Sequence, residues 1–274
     1  MKETLSFQSY SKSPYRSIKH STYFEVYDKL FLPFRNKDII FVEIGVLDGG
    51  SLFMWRNFFG PQARIIGIDL NPDARKWEKH GFEIKIGSQS DKNFWKKFTE
   101  EIGQVDLVLD DGGHTYEQQI ITTEMLLSTV RDGGILVVED THTSYMKGFG
   151  PSRYTFVKYV KQMIDNCNHR FARLNSEFAE NRVWSIQSFE SIIAFHINHK
   201  ATNLESIRTD NQGITAETLD FRYKENLIVN ISQRLLSKFP FLKKFRILKY
   251  VYSFCFNFIT SAGMSKKIQR YFKS

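Results

Sequence analysis

The chain has 274 residues, of which 42% are hydrophobic and 15% aromatic. This composition is typical of a folded protein with a sizeable core and excludes an intrinsically disordered chain. Residues 1–21 are polar and lack the apolar core of an export signal, so we expect a cytoplasmic protein. The two cysteines, Cys167 and Cys255, show neither a disulfide framework nor a metal-binding spacing, which fits a reducing compartment.

The formal net charge of +8 is concentrated at the carboxyl terminus. Positions 222–274 contain twelve Lys or Arg residues and a single acid, Glu225, mixed with many aromatic residues. This pattern predicts a helical tail on an anionic membrane surface, peripheral at the inner face, or a helical pair packed on the core or on another subunit of a homo-oligomer. Residues 247–264 are apolar but interrupted, so no membrane-spanning helix is expected. No reading motif accompanies the charge, and nucleic acid is not an expected partner.

The elements predicted along the chain alternate between helices and strands. A helix is expected over 21–32 with Ser21 as its cap, and another near 152–166. Strands are expected near 39–44, 65–69, 82–86, 105–110 and 134–139, followed by a hairpin of 183–188 and 191–197. The alternation predicts an α/β fold, a Rossmann-like doubly wound and mostly parallel seven-stranded sheet closed by an antiparallel hairpin. The predicted domains are a helical cap segment (1–36), the sheet domain (37–198), a linker (199–221) and the helical basic tail (222–274).

The loop after the first predicted strand has the features of a cofactor-binding turn. Gly45 and Gly49 can adopt positive φ and let a ligand approach the backbone, while Glu43 at the strand end can hold a charged or hydroxyl-bearing group. A dinucleotide loop has a glycine where this chain has Leu47, which disfavours a nicotinamide oxidoreductase. The spacing instead resembles the S-adenosylmethionine (SAM) loop of class I methyltransferases.

The ends of the next two strands supply further candidates. Asp69 lies where a carboxylate can accept both hydroxyls of an adenosine ribose. Ser88 and Gln89 follow the third strand and are placed to contact an adenine edge, whereas Ser90 or Asp91 is expected to cap the following helix.

Paired acids end the fourth and fifth strands. Asp110 and Asp111 lie at one strand end, and Glu139 and Asp140 lie at the other. If these strands are neighbours, four carboxylates meet within roughly 5 to 10 Å and repel one another unless a cation neutralises them. Oxygen ligands select a hard ion, so Mg²⁺ is the first choice and Mn²⁺ the second, with Asp111, Glu139 and Asp140 as ligands. The alternatives are that Lys or Arg side chains neutralise these acids, or that Asp110 and Asp140 only cap loops.

His114 follows Asp111 by three residues and would lie at the edge of this metal site. An imidazole, with an ordinary pKa of about 6.5, suits a general base that removes a hydroxyl proton. His114 is therefore the predicted catalytic base, and Asp111 is the second predicted catalytic residue. His142, on the other strand loop, is a weaker candidate for the base.

These motifs together resemble the metal-dependent sugar O-methyltransferases of macrolide biosynthesis, the macrocin and mycinamicin type, and the cephalosporin-hydroxylase-like family is similar. The resemblance is carried by Asp110-Asp111-Gly112-Gly113-His114 and by Glu139-Asp140-Thr141-His142-Thr143-Ser144-Tyr145, and it spans roughly residues 16–197. It implies SAM and Mg²⁺ as cofactors and a sugar or glycan acceptor. The implied cofactor-binding residues are His20, Tyr23, Glu43, Gly45, Gly49, Ser51, Asp69, Ser88, Gln89 and Asp110. His142 and Tyr145 are the implied acceptor contacts.

The resemblance does not extend to the basic tail, which suggests an acceptor such as a lipid-linked or surface glycan. Two other functions stay open. One is a SAM-binding scaffold in glycan assembly that transfers no methyl group. The other is a methyltransferase of a phenolic, catechol-like molecule, for which the metal ion would have the same role.

Overall fold

The structure is a computed structural model that describes residues 4–168 and 183–214, together with positions 230–231, 234, 238 and 268–271. Residues 1–207 form one compact unit and residues 208–274 a second. Most of the predicted basic tail lies outside the described residues, as does Cys255. Within the described part of the chain, no helix is long and apolar enough to cross a membrane.

The first unit is built on a seven-stranded sheet with the order β3-β2-β1-β4-β5-β7-β6. The strands are β1 (Ile40–Ile44), β2 (Arg64–Asp69), β3 (Glu83–Ile86), β4 (Val105–Asp110), β5 (Val130–Val138), β6 (Val183–Ser188) and β7 (Ile193–Ile197). The first five strands pair in parallel, and β7 pairs antiparallel with both β5 and β6. The predicted doubly wound sheet with a closing antiparallel hairpin is confirmed.

The helices connect and cover these strands. Among the described residues of the first unit, the α-helices are α1 (Leu5–Ser11), α2 (Tyr23–Phe31), α3 (Gly50–Phe59), α4 (Lys92–Ile102), α5 (Tyr116–Leu126), α6 (Phe156–Cys167) and α7 (His199–Asn203). In the same unit, 3-10 segments span Leu32–Phe34, Pro72–His80, Thr141–Tyr145 and Ser152–Tyr154, and the second unit contains one at Gln269–Tyr271.

Each face of the sheet has its own hydrophobic cluster. Trp55, Phe31 and Phe41 belong to one cluster, and Trp95 and Phe195 to the other. All five side chains are fully buried, and burying each contributes about 1.5–3 kcal/mol. Apolar residues fill both faces because a parallel sheet is covered by helices on both sides. The polar side chains of the site are therefore confined to the carboxyl edge of the strands.

Several predicted element boundaries differ from the structure; the helix near 152–166, for example, begins only at Phe156. The cap predicted at Ser21 is wrong: α2 begins at Tyr23, with Thr22 at the cap position and no side-chain cap bond. The fifth strand begins at Val130, before the predicted start, because Asp132 and Gly133 continue it as an exposed segment. The predicted cap Asp91 is confirmed, since its side chain accepts a hydrogen bond from Asn93 N at 2.8 Å.

Candidate active site

The glycine loop joins β1 to α3 and touches the loop that follows β4. Gly45 has φ +91°, and a Cβ there would lie 2.1 Å from the carbonyl oxygen of Asp111. Gly49 has φ +77° and precedes the first turn of α3, which has no side-chain cap. Glycine is thus required at position 45 both for backbone conformation and for close approach between two loops.

Glu43 lies beneath the glycine loop, inside the protein. Its carboxylate accepts hydrogen bonds from Ser51 Oγ at 2.9 Å and from Trp55 Nε1 at 3.0 Å. Burial raises the pKa of Glu43 to about 7. Glu43 is fully buried and does not line the cavity described below. Its hydrogen bonds instead link β1 to α3.

Asp69 braces the same loop from β2. Its Oδ2 accepts the backbone N–H groups of Val46 at 2.9 Å and Leu47 at 3.0 Å, and Oδ1 accepts that of Asn71. A role in ribose binding stays a prediction, because these bonds leave only the remaining lone pairs of the carboxylate for a ligand.

Gln89 and Asp110 fix the loop after β4 from within. Gln89 Nε2 donates to Asp110 Oδ1 at 2.7 Å, and Gln89 Oε1 accepts from Gly113 N at 2.8 Å. Both side chains are buried, and burial raises the pKa of Asp110 to about 7. The structure therefore places Gln89 against the Gly112–His114 loop, where both its polar atoms are engaged, rather than facing outwards. The side-chain oxygen of Ser88 accepts a hydrogen bond from Ser90 N at 3.3 Å, and its carbonyl oxygen accepts one from Asp91 N at 3.0 Å.

A lysine lies between two of the predicted metal ligands. Nζ of Lys19 is 2.5 Å from Asp111 Oδ2 and 2.9 Å from Glu139 Oε2. Burial lowers the pKa of this amine, but the charges of Asp111 and Glu139 outweigh burial and raise it above its ordinary value. Compensation of the acids by a basic side chain, the alternative to a metal in the sequence, is thus observed for this pair of carboxylates.

Glu139 is also held by a tyrosine. Tyr27 on α2 donates a hydrogen bond from its hydroxyl to Oε1 of Glu139 at 2.6 Å. Burial raises the pKa of Glu139 well above its ordinary value, and the charge of Asp111 raises it further while Lys19 opposes the shift. Both oxygens of Glu139 therefore have partners.

Asp140 contacts both His114 and Tyr23 in the outer part of the site. Its Oδ2 lies 3.3 Å from Nε2 of His114, and its Oδ1 accepts a hydrogen bond from the Tyr23 hydroxyl. Tyr23 also contacts Ser191 Oγ at 2.7 Å, and Ser191 contacts Nδ1 of His142 at 2.5 Å. Asp140 and His114 have positive φ values of 54° and 57°, a conformation that is uncommon for non-glycine residues and is often found at active sites.

Two groups of potential metal ligands share Asp140. In the described residues, Asp111, His114 and Asp140 each offer a ligand atom, and these atoms lie within 4.8 Å of one another. His20, Asp140 and His142 form a second group on the same criterion. The first group contains two of the three predicted ligands; Glu139 is not part of it.

The glycine loop and the first ligand group face one cavity of about 240 Å³. Arg16 and Ile18, from the segment before α2, close one side of it. Its lining includes Gly45, Val46, Asp48, Ser51, Asp111, Gly112, His114 and Asp140. Tyr145 is 80% exposed and lies outside this lining, in the 3-10 segment that follows Asp140.

Sequence reasoning missed two partners of the site, Tyr27 and Ser191, and did not identify Lys19 as the residue that pairs with the acids. Tyr27 lies four residues after Tyr23, so the two hydroxyls share a face of α2, and this spacing was an available signal. Ser191 and Lys19 reach the site only through long-range folding, at separations of 168 residues from Tyr23 and 92 residues from Asp111.

The chain is similar to known methyltransferases over this same region. Residues 42–141 match a family described as a methyltransferase domain. Mycinamicin VI 2''-O-methyltransferase of Micromonospora griseorubida is 31% identical over 205 residues, covering 69% of this chain and 49% of that protein. Demethylmacrocin O-methyltransferase of Streptomyces fradiae is 32% identical over 157 residues, covering 53% and 39% of the two chains. The chain belongs to the SAM-dependent sugar O-methyltransferase family.

A solved structure supports the membership of this sugar O-methyltransferase family. The MycE methyltransferase of the mycinamycin biosynthetic pathway, in complex with Mg, SAH and mycinamycin VI, has a TM-score of 0.66 and 25% identity. The match covers 76% of this chain and 56% of that one. The chain spans about half the length of the family relatives it matches.

The donor set of this family member suits a hard divalent ion. Asp111 and Asp140 offer carboxylate oxygens, the ligand type that Mg²⁺ prefers, and both are partly exposed to the cavity. Tyr23 orients Asp140 from behind, as ligating carboxylates are usually oriented by hydrogen bonds. The residues present therefore fit Mg²⁺.

Proposed function

We propose that this protein is a SAM- and Mg²⁺-dependent O-methyltransferase that acts on a sugar hydroxyl. The observation that carries the proposal is the single cavity lined both by the glycine loop and by Asp111, His114 and Asp140. A methyl donor bound at the glycine loop would lie next to a base and a cation site, the arrangement that methyl transfer to a weakly acidic hydroxyl requires.

The cofactor side of the cavity is assigned to the glycine loop. Gly45 and Ser51 line the cavity there, Gly49 lies immediately before α3, and the first turn of α3 offers backbone N–H groups without a side-chain cap. Such a helix terminus favours an anionic group, for example the carboxylate of SAM. Asp69 would contribute to ribose binding while it holds the loop.

The reacting side is assigned to the loops after β4 and β5. Mg²⁺ held by Asp111 and Asp140 would supply the Lewis acidity that lowers the pKa of a sugar hydroxyl. His114 then removes the hydroxyl proton, and a proton taken up at Nε2 lies within reach of Asp140 Oδ2, 3.3 Å away. The carboxylate stabilises the imidazolium that results, while the cover formed by Arg16 and Ile18 limits access of water.

The acceptor side is assigned to the residues around the 3-10 segment after Asp140. His142 lies there with its Nδ1 held by Ser191, and His20 packs against it at a ring separation of 5.9 Å. Tyr145 is exposed and can stack on a sugar ring. A relative of Streptomyces olivaceus is named as the 3'-O-methyltransferase of a rhamnosyl tetracenomycin, which supports a sugar acceptor for this chain.

Methyl transfer from labelled SAM to a panel of glycosides tests the proposal. Asp111→Asn and His114→Asn should each lower kcat at least a hundredfold, and SAM affinity, measured by calorimetry, should stay within about fivefold. His199→Gln, a histidine on α7 paired with Asp132, serves as the control and should keep full activity. Full turnover in Asp111→Asn, or no SAM binding by the wild type, would refute the assignment.

We further propose that the acceptor is a lipid-linked or surface glycan. The support is the composition of residues 222–274, where basic and aromatic residues are mixed. The full-length protein should co-sediment with vesicles of phosphatidylserine and phosphatidylcholine and not with vesicles of phosphatidylcholine alone. Replacing Lys243, Lys244 and Arg246 by Gln should weaken that binding at least tenfold; unchanged sedimentation would contradict the membrane assignment.

A further inference from the structure

Lys19 is a buried cation that contacts Asp111, a ligand of the proposed Mg²⁺ site, and Glu139, the remaining ligand predicted from the sequence. Its side chain is 2% exposed, and Nζ contacts Asp111 Oδ2 at 2.5 Å and Glu139 Oε2 at 2.9 Å. A buried ammonium is tolerated only when charged groups pair with it, and here two carboxylates do so. The ammonium therefore occupies the space between the two oxygens.

The same two oxygens belong to Asp111 and Glu139, two of the three metal ligands predicted from the sequence. Tyr27 holds Oε1 of Glu139 at 2.6 Å, so Oε2 is the oxygen of Glu139 left for a cation. Mg²⁺ binds oxygen at about 2.0–2.1 Å, and an ion bound to Asp111 Oδ2 and Glu139 Oε2 would fall on the position of the Lys19 amine. A metal ion and the ammonium group of Lys19 placed so close together would also repel each other.

We infer that Lys19 and the metal ion are alternative partners of Asp111 and Glu139, so that a metal ion bound by Glu139 displaces the lysine. This inference rests on the proposed Mg²⁺ site, adds Glu139 to its ligands and assigns Lys19 a positioning role. It also explains how Glu139, whose oxygens both have partners, can join the ligands predicted at the ends of β4 and β5.

Displacement of Lys19 has a consequence for the cofactor cavity. Lys19 lies in the segment 12–22 between α1 and α2, which we call the cover segment. Ser13 Oγ donates to Gly50 O at 2.8 Å, and a Cβ at Gly50 would lie 2.3 Å from the carbonyl oxygen of Arg16. Arg16, Ser17 and Ile18 line the cavity directly. The ion pairs of Lys19 hold the end of this cover segment, so metal binding loosens it.

Metal affinity provides the first test, with no need for turnover. Mn²⁺ binding, measured by electron paramagnetic resonance and by calorimetry, should be at least tenfold tighter in Lys19→Met than in the wild type. Lys12→Met, an exposed residue of the same cover segment, is the matched control and should stay within twofold. Glu139→Gln should weaken binding and should abolish the gain when combined with Lys19→Met. Unchanged or weaker binding in Lys19→Met would overturn the inference.

Hydrogen exchange of the wild-type protein provides the second test and remains informative if Lys19→Met folds poorly. Mg²⁺ should increase amide exchange at least threefold across residues 12–22 and leave α4 unchanged. In Lys19→Met, exchange in the cover segment should already be high and insensitive to Mg²⁺. Slower exchange of the cover segment in Mg²⁺-loaded wild type would overturn the inference.

The two proposals fail in different ways. If the wild type binds no Mn²⁺, or binds it equally well in Asp111→Asn, the metal site itself is wrong and the inference falls with it. If binding depends on Asp111 but not on Lys19, the proposed function stands and only the competition is refuted.

Discussion

The hydroxyl of Tyr27 donates a hydrogen bond to Oε1 of Glu139 across 2.6 Å, and both side chains are fully buried. The bond joins α2 to the end of β5, so the helix before the first strand reaches the carboxyl edge of the sheet. It also leaves one oxygen of Glu139 for a cation. A residue outside the glycine loop and the acid pairs thus determines what the acids can bind.

Removal of this hydroxyl should destabilise the protein. Tyr27→Phe keeps the ring packed on Trp55 but leaves a buried carboxylate oxygen without its donor, which should cost about 1–3 kcal/mol in the free energy of unfolding. Urea denaturation measures this loss. Tyr159→Phe removes an exposed tyrosine–carboxylate bond, to Glu124, and should cost less than about 0.5 kcal/mol. Equal effects of the two variants would contradict the role given to Tyr27.

Gly45 should tolerate no side chain. In Gly45→Ala, the added Cβ would meet Asp111 O at 2.1 Å on top of the strain of φ +91°, so we expect a loss of more than about 3 kcal/mol and weaker SAM binding. Gly133→Ala is the matched control, because φ is +85° there and nothing lies within 4 Å of the added Cβ. That variant should lose only about 1–2 kcal/mol, and its SAM affinity should not change. Similar losses in both variants would mean that only backbone strain matters at position 45.

Gln89 should contribute to stability in the absence of any cofactor. Gln89→Leu removes the donor to Asp110 and the acceptor of Gly113 N, so the free energy of unfolding should fall by about 1–3 kcal/mol. Thermal denaturation without SAM measures this effect, and Gln104→Leu, an exposed site, is the control. If Gln89→Leu lost SAM affinity without any loss of stability, the result would instead support the contact between Gln89 and adenine that the sequence predicts.

The sequence predicted well what periodicity and strand ends determine. Buried apolar runs gave the strands, and the positions of Asp110 and Asp140 followed because the carboxyl ends of parallel strands share an edge. The pairing of β4 with β5, with Asp110 opposite Val138, brings the two acid pairs together as predicted.

The direction in which each side chain points was not predictable from such patterns. Glu43 and Asp110 lie inside the protein because Trp55 and Gln89 offer them donors there, whereas Asp111 and Asp140 face the cavity. The neutralising role of Lys19 depends on a contact across 92 residues, which no local spacing encodes.

Glu43 gives the last prediction, a pH dependence of stability. Burial raises its pKa to about 7, against about 4.5 in the unfolded chain, so the folded protein binds an extra proton between these values. The resulting stabilisation is fully present below about pH 4.5 and is lost as the pH rises through about 7.

Glu43→Gln cannot ionise, and its side chain can still accept a hydrogen bond from Trp55 Nε1. The free energy of unfolding of the wild type minus that of Glu43→Gln should therefore fall by about 1–3 kcal/mol from pH 5 to pH 8. Urea denaturation at both pH values measures this difference, and the exposed control Glu205→Gln should show a change below about 0.5 kcal/mol. A difference that is independent of pH would show that Glu43 titrates as an ordinary carboxyl group, and a difference that rises with pH would mean that its bonds from Ser51 and Trp55 outweigh burial.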